Sequence, residues 1–265
     1  MNVTANGINI HYTMEGPEKA PVVTLSHSLA TNLSMWNPQM EALASQYRVL
    51  RYDTRGHGGT DAPEGPYSFE QLAEDVVGLL GALGISKTYF MGLSMGGMIG
   101  QILAIRHPEL LIGLILCDTS SHVPDDARPV WGERIQAVQA EGMEGQVEPT
   151  LERWFTGPFR KSRSAELDPV REMIRRTKPA GYIGCGYAIR SLDLTDQISR
   201  ITTPTLIIVG EEDPGTPVTA AQAIHAQIEG SELVIVESAA HLSNMEQPEA
   251  FNQAVLAFLA KQERL

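Results

Sequence analysis

The feature that most restricts how this chain can fold is a serine enclosed by glycines, Gly92-Leu93-Ser94-Met95-Gly96-Gly97. The apolar residues 88–91 before it read as a short buried strand. After it, Met98, Ile99, Ile102, Leu103 and Ile105 recur at helical spacing up to His107-Pro108. A chain that passes from strand to helix in so few residues must turn sharply, and glycines on both sides let the two backbones approach. A glycine-rich turn with an incidental serine would spell the same letters. The strand before and the helix after favour instead a hydroxyl lifted clear of a sheet edge, where it can act as a nucleophile.

The rest of the chain agrees with an alternating architecture. Residues 8–12, 22–25, 47–52, 112–117, 205–209 and 233–236 are apolar or alternating runs of strand length. From Phe69 the positions Leu72, Val76, Leu79, Leu80 and Leu83 form an amphipathic stripe, with Gly84 where a helix C′ residue belongs. Phe251, Val255, Phe258 and Leu259 mark a last helix starting near Pro248. Strands alternating with helices predict an α/β fold, a mostly parallel sheet covered on both faces. Between Asp118 and about Leu192 strands disappear and charged, helix-spaced sequence takes over. The expected organisation is therefore one unit of 265 residues, with a core of 1–118 and 193–265 and an inserted helical cap of 119–192.

Charge and composition narrow the function classes. With 20 basic against 32 acidic residues the net charge is −12, which lacks the basic footprint that nucleic acid requires. No apolar run reaches the roughly eighteen residues of a membrane span, and Met1 to Gly7 has neither the basic nor the apolar region of a secretion signal. The expectation is a cytoplasmic protein acting on a small molecule, with its oligomeric state left open. Cys117 and Cys185 have neither metal-ligand spacing nor a disulfide framework and read as free thiols.

A serine needs a base, and in this architecture the base follows the last strand. His241, in Ser238-Ala239-Ala240-His241-Leu242, is the histidine so placed. The orienting acid is expected after a preceding strand: Asp213, in Gly210-Glu211-Glu212-Asp213-Pro214, with Asp118 as the competitor. The oxyanion of acyl transfer needs two backbone donors, expected at Met95 and, in Ser26-His27-Ser28-Leu29-Ala30, at Leu29. The glycine-rich Asp53-Thr54-Arg55-Gly56-His57-Gly58 has no metal-ligand spacing and reads as a structural turn. No metal and no cofactor is expected.

At these residues the chain resembles the α/β-hydrolases, and within them the 3-oxoadipate enol-lactonases of aromatic-compound breakdown. The likeness runs from near Gly7 to Phe258. Segments 28–36, 51–58, 92–98 and 240–248 carry it, together with the cap segments Val130-Trp131-Gly132-Glu133-Arg134-Ile135, Arg153-Trp154-Phe155-Thr156 and Gly181-Tyr182-Ile183-Gly184-Cys185. The chain departs from the pattern at Ala30, where glycine is expected, at Asn32, where an acid is common, and at His27, where asparagine is frequent.

The resemblance implies the α/β-hydrolase fold with an eight-stranded sheet, and opening of a small carboxylate-bearing lactone through an acyl-serine. Trp131, Arg134 and Trp154 would then be substrate-binding. Arg134 reads equally as a partner for the substrate carboxylate or as a structural ion pair, and the tryptophans as pocket wall or cap core. A broad carboxylesterase or another lactonase would use the same triad. A ligand receptor built on a hydrolase fold is the alternative of another class. Dehalogenases and epoxide hydrolases share the fold but use an aspartate where Ser94 stands.

Overall fold

In the computed structural model, which describes residues 1–264, the strands are β1 (Asn2–Ala5), β2 (Ile8–Glu15), β3 (Val22–Ser26), β4 (Arg48–Tyr52), β5 (Thr88–Leu93), β6 (Leu111–Cys117), β7 (Thr205–Gly210) and β8 (Glu232–Val236). They form one sheet in the order β1-β2-β4-β3-β5-β6-β7-β8. Only β2 runs antiparallel to its neighbours, pairing with β1 and β4, and every other pairing is parallel. The central strands are covered on both faces, so β5 and β7 are buried along their whole length. That burial is why they stand out in the sequence as unbroken apolar runs.

Helices α1 (Asn37–Ala44), α2 (Phe69–Ala82) and α3 (Met95–Arg106) follow β3, β4 and β5. The α2 stripe is buried at Leu72, Val76, Leu79 and Leu80, and Ser68 caps the helix by accepting from the Gln71 amide at 3.2 Å. Gly84 takes the positive φ, +68°, that ends it. Helix α3 is buried at every position from Met95 to Ala104, a central helix with no solvent face over most of its length. Strand β1 and helix α1 were not expected. Asn-Val-Thr-Ala is too short and polar to carry a strand pattern, and α1 buries only Gln39 and Leu43.

Five helices lie between β6 and β7: α4 (Arg128–Glu141), α5 (Val147–Trp154), α6 (Gly157–Ser162), α7 (Asp168–Arg176) and α8 (Pro179–Arg190). The chain enters and leaves this cap-like layer side by side. His122 pairs with Asp193, the Val123 amide donates to Leu192 O at 3.0 Å, and Leu194 donates to Ser121 O at 2.8 Å. Helices α9 (Val218–Gln227), α10 (Ser243–Glu246) and α11 (Pro248–Gln262) complete the core.

The cap rests on the turn after β4. A Cβ on Gly56 would stand 2.3 Å from Gly181 Cα, and one on Gly181 would stand 2.0 Å from Gly56 O, so α8 meets that turn backbone to backbone. Lys178 Nζ donates to Thr60 O at 2.7 Å beside the contact. Replacing Gly181 with alanine is therefore expected to cost about 1–3 kcal/mol through overpacking. Gly81→Ala, in helix α2 with open space around it, should instead stabilise by about 0.5–1 kcal/mol. Thermal unfolding of the two variants checks the pair; equal Tm values would mean that the cap contact is not tight.

Candidate active site

Ser94 sits between β5 and α3 with φ 56° and ψ −114°, a backbone conformation costly for a residue with a side chain. Its neighbours explain how the turn is held. A Cβ on Gly92 would lie 2.1 Å from Gly96 O, one on Gly96 would lie 2.1 Å from Ser26 O, and one on Gly97 would lie 2.7 Å from the Thr119 Cβ. The serine amide donates to Cys117 O at 2.8 Å, and Thr119 Oγ1 donates to Ser94 O at 2.8 Å. One backbone bond to the end of β6 and one side-chain bond from the loop after it thus hold the strained residue. Its hydroxyl has no hydrogen bond of its own among the described residues and opens on a cavity of about 270 Å³.

His241 faces the same cavity from the loop after β8. Its Nδ1 donates to Asp213 Oδ2 at 2.8 Å, so Nε2 carries the lone pair. Asp213, in the loop after β7, also accepts from Gly215 N at 2.8 Å, Thr216 N at 3.1 Å and Thr216 Oγ1 at 2.6 Å. Burial works against the Asp213 charge. The charge and hydrogen bond of His241 and the two Thr216 donors outweigh it and hold this carboxyl below the usual range. For His241, burial lowers the pKa, but the Asp213 charge and hydrogen bond leave it raised above 6.5.

The two acids that the sequence left in competition differ in what they touch. Asp118 accepts from Gly210 N at 2.7 Å and from Ser243 Oγ at 2.6 Å and has no hydrogen bond to His241. Fully buried and near Asp213, it is pushed well above the ordinary carboxyl range by burial first and that neighbouring charge second. Asp118 ties the ends of β6 and β7 to the segment after His241, and Asp213 is the acid bonded to the imidazole. Glu211 and Glu212 are exposed.

Leu29 lines the cavity, and Met95 is fully buried at the first position of α3. Neither backbone N–H donates to a protein acceptor among the described residues. Buried amides almost always find a partner, so two free ones beside Ser94 suit a ligand oxygen. Trp131, Arg134 and Trp154 all line the cavity. The Arg134 guanidinium lies 5.0 Å over the Trp131 ring, and Trp154 stacks on His241 at 6.3 Å while also belonging to the buried hydrophobic core.

Arg153 and Tyr182 line the same cavity and were missed by sequence reasoning. Arg153 sits beside Trp154 in the quoted cap segment, and that adjacency was the available signal. Cap ion pairs engage Arg128, Arg163, Arg171, Arg175 and Arg176. Arg134 and Arg153 have none among the described residues. Arg153 has only a 3.0 Å bond to Thr150 Oγ1, and burial, then the like charge of Arg134, lower its pKa. Two cations without counter-ions in one cavity fit an anionic ligand. Among the described residues no group of three His, Cys, Asp or Glu could hold a metal, and no helix is long and apolar enough to cross a membrane.

Known proteins resemble this chain over nearly its whole length. The family described as alpha/beta hydrolase fold matches residues 21–248. The chain is 37% identical to 3-oxoadipate enol-lactonase 2 of Acinetobacter baylyi, over 98% of this chain and 96% of that one. The crystal structure of the enol-lactonase from Burkholderia xenovorans LB400 superposes with a TM-score of 0.95 at 38% identity, covering 98% of this chain and all of the other. A thermophilic esterase from Thermogutta terrifontis, solved with malate bound, gives a TM-score of 0.93 at 29% identity, over 99% of each chain.

The pair geometry predicts a titration. The His241 ring should titrate by NMR with a midpoint above 6.5. Asp213→Asn should move the midpoint down, because burial then acts with less to oppose it. A wild-type midpoint below 6.5 would contradict the assigned charge pairing.

Proposed function

The chain belongs to the α/β-hydrolase family, and on that premise we propose that it opens a small carboxylate-bearing lactone, 3-oxoadipate enol-lactone above others, through an acyl-Ser94 intermediate. One observation carries the reading. A single cavity is lined by Ser94, by an Asp213-bonded His241, and by Arg134 and Arg153, two arginines with no carboxylate partner among the described residues. The resemblance to enol-lactonases at 37–38% identity supports the same substrate class.

The chemistry follows from the groups. His241 Nε2 takes the Ser94 proton as Oγ bonds to the lactone carbonyl carbon, and the Leu29 and Met95 amides hold the resulting oxyanion. Collapse breaks the ring C–O bond, and the departing enolate takes the proton from His241 and tautomerises to a ketone. The leaving group stays tethered to the acyl chain, and its change to a ketone makes ring closure unfavourable. Water then gives a proton to His241 and attacks the acyl carbon. The Ser94 Oγ–carbon bond breaks, and the serine regains its proton. Asp213 stays ionised throughout and stabilises the imidazolium. Arg134 and Arg153 hold the free carboxylate of the substrate, with Trp131 and Trp154 as apolar walls. Residues 119–192 act as the cap that carries these contacts.

A broad-specificity carboxylesterase is the second reading, favoured by the 29% identity to a thermophilic esterase. A purified-protein assay following loss of enol-lactone absorbance, run beside a neutral aryl ester, separates the two. The lactonase reading expects the lactone to have the higher kcat/KM. Arg134→Met and Arg153→Met should each raise its KM by about 10- to 100-fold, roughly 1.4–2.7 kcal/mol, and leave the neutral ester within about threefold. Better turnover of the ester, unaffected by either arginine, would overturn the lactonase assignment. Ser94→Ala should abolish both activities, and intact function in that variant would favour a receptor. Because His241 must be neutral to act as base, kcat/KM should rise with pH through its raised pKa, so the rise falls above pH 6.5.

A further inference from the structure

Two buried histidines that take no part in the chemistry above bracket the loop that supplies the Leu29 amide. His27 lies in that loop and His57 in the turn after β4, and both are fully buried, with ring centroids 5.3 Å apart. The loops are laced in both directions. The Thr54 amide donates to His27 Nε2 at 2.9 Å, and the Ala30 amide donates to His57 Nε2 at 3.1 Å. A backbone N–H can only donate, so both Nε2 atoms are lone-pair acceptors and each ring carries its proton on Nδ1. The His27 Nδ1–H donates to Ser28 O at 2.7 Å, and the His57 Nδ1–H donates to Arg55 O at 3.1 Å.

The Ser28 carbonyl belongs to the same peptide unit as the Leu29 N–H, and in a planar trans peptide the two point in opposite directions. His27 Nδ1, Thr31 Oγ1 at 2.7 Å and Thr31 N at 3.3 Å all hold that carbonyl. The N–H is thereby aimed away from them. On the other side of Leu29 the Ala30 amide is held by His57, and Ala30 itself sits at φ +60°. Both peptide planes flanking Leu29 are thus set by a histidine ring.

We propose that His27 and His57 are positioning residues, neutral Nδ1–H imidazoles that fix the direction of the Leu29 oxyanion donor. The proposal rests on the hydrolytic reading above. Protonation of either ring would put an N–H against a backbone N–H. Burial keeps both neutral: it lowers His27 despite the nearby Asp53 charge, and with the neighbouring His27 it brings His57 down to about 3. Around them, Asp53 is engaged by His11 and by the Leu33 and Gly59 amides, and Lys178 donates to Thr60 O. His27→Asn is the conservative variant. Its side-chain amide can donate where the imidazole Nδ1–H does.

The test compares His27→Leu and His57→Leu with the conservative His27→Asn and His57→Gln. The leucine variants should lose about 10- to 100-fold in kcat with KM within about threefold. They should bind a trifluoromethyl ketone, which forms an oxyanion on Ser94, more weakly by the same factor. Inhibition by adipate, which needs no oxyanion donor, should not change. The conservative variants should recover most of kcat. Folded leucine variants with wild-type kcat and ketone affinity would overturn the proposal, as would a parallel loss of adipate binding.

If the leucine variants do not fold, ring-nitrogen NMR of the wild-type protein decides. A proton on Nε2 of either ring, or titration of either ring between about pH 5 and 9, would refute the assignment. Labelling of wild-type Ser94 by a fluorophosphonate separates the two levels. Without labelling the hydrolytic reading itself fails, and with labelling but unchanged variants only the positioning role fails.

Discussion

The turn at Ser94 is the constraint on which the other parts of the site converge. Its backbone can stay at φ 56° only because Gly92, Gly96 and Gly97 allow β3, β5, α3 and the end of β6 to come within van der Waals distance. One consequence is that the first amide of α3 has no partner among the described residues. Another is that β3 ends against the turn, since Gly96 packs on Ser26 O. The loop leaving β3 therefore starts beside the serine and brings the second free amide, at Leu29, to the same cavity.

The cap and the core are joined at two places that both bear on this site. One is the contact of Gly56 with Gly181, on the turn whose His57 receives the Ala30 amide. The other lies at the loop of His241. There the Leu242 amide donates to Trp154 O at 3.1 Å, and buried Glu246 accepts from Thr156 N at 3.1 Å, from Thr156 Oγ1 and from Ala240 N at 3.0 Å. The end of α5, which carries Arg153 and Trp154, is thus bound to the segment that carries the imidazole. In the proposed reaction this matters because distance between carboxylate anchor and reacting carbonyl is fixed by how the cap sits.

What the sequence made legible follows from burial. The central strands and α2 were readable because burial on one or both faces leaves an apolar signature, and Ser94, Asp213 and His241 because each follows a strand in that series. Strand β1 and helix α1 bury too few side chains to leave a pattern. Arg153 could not be distinguished from a solvated cap arginine, since lack of an ion pair is a three-dimensional property. The turn 53–58 was read as structural, and its ring-to-amide bonds to the loop at Leu29 join residues 27 apart in sequence, which no local pattern reports. Asp118 and Asp213 both follow strands, and it takes three-dimensional contacts such as the 2.8 Å bond of Asp213 to His241 to distinguish them.

The most direct test is the intact mass of the enzyme quenched during turnover of the enol-lactone, with the adduct mapped by peptide fragmentation. Opening a ring on Ser94 loses no fragment, so the expected species is heavier by the full mass of the lactone and carries it on Ser94. It should be absent in Ser94→Ala. An adduct elsewhere, or lactone turnover that survives Ser94→Ala, would contradict the account.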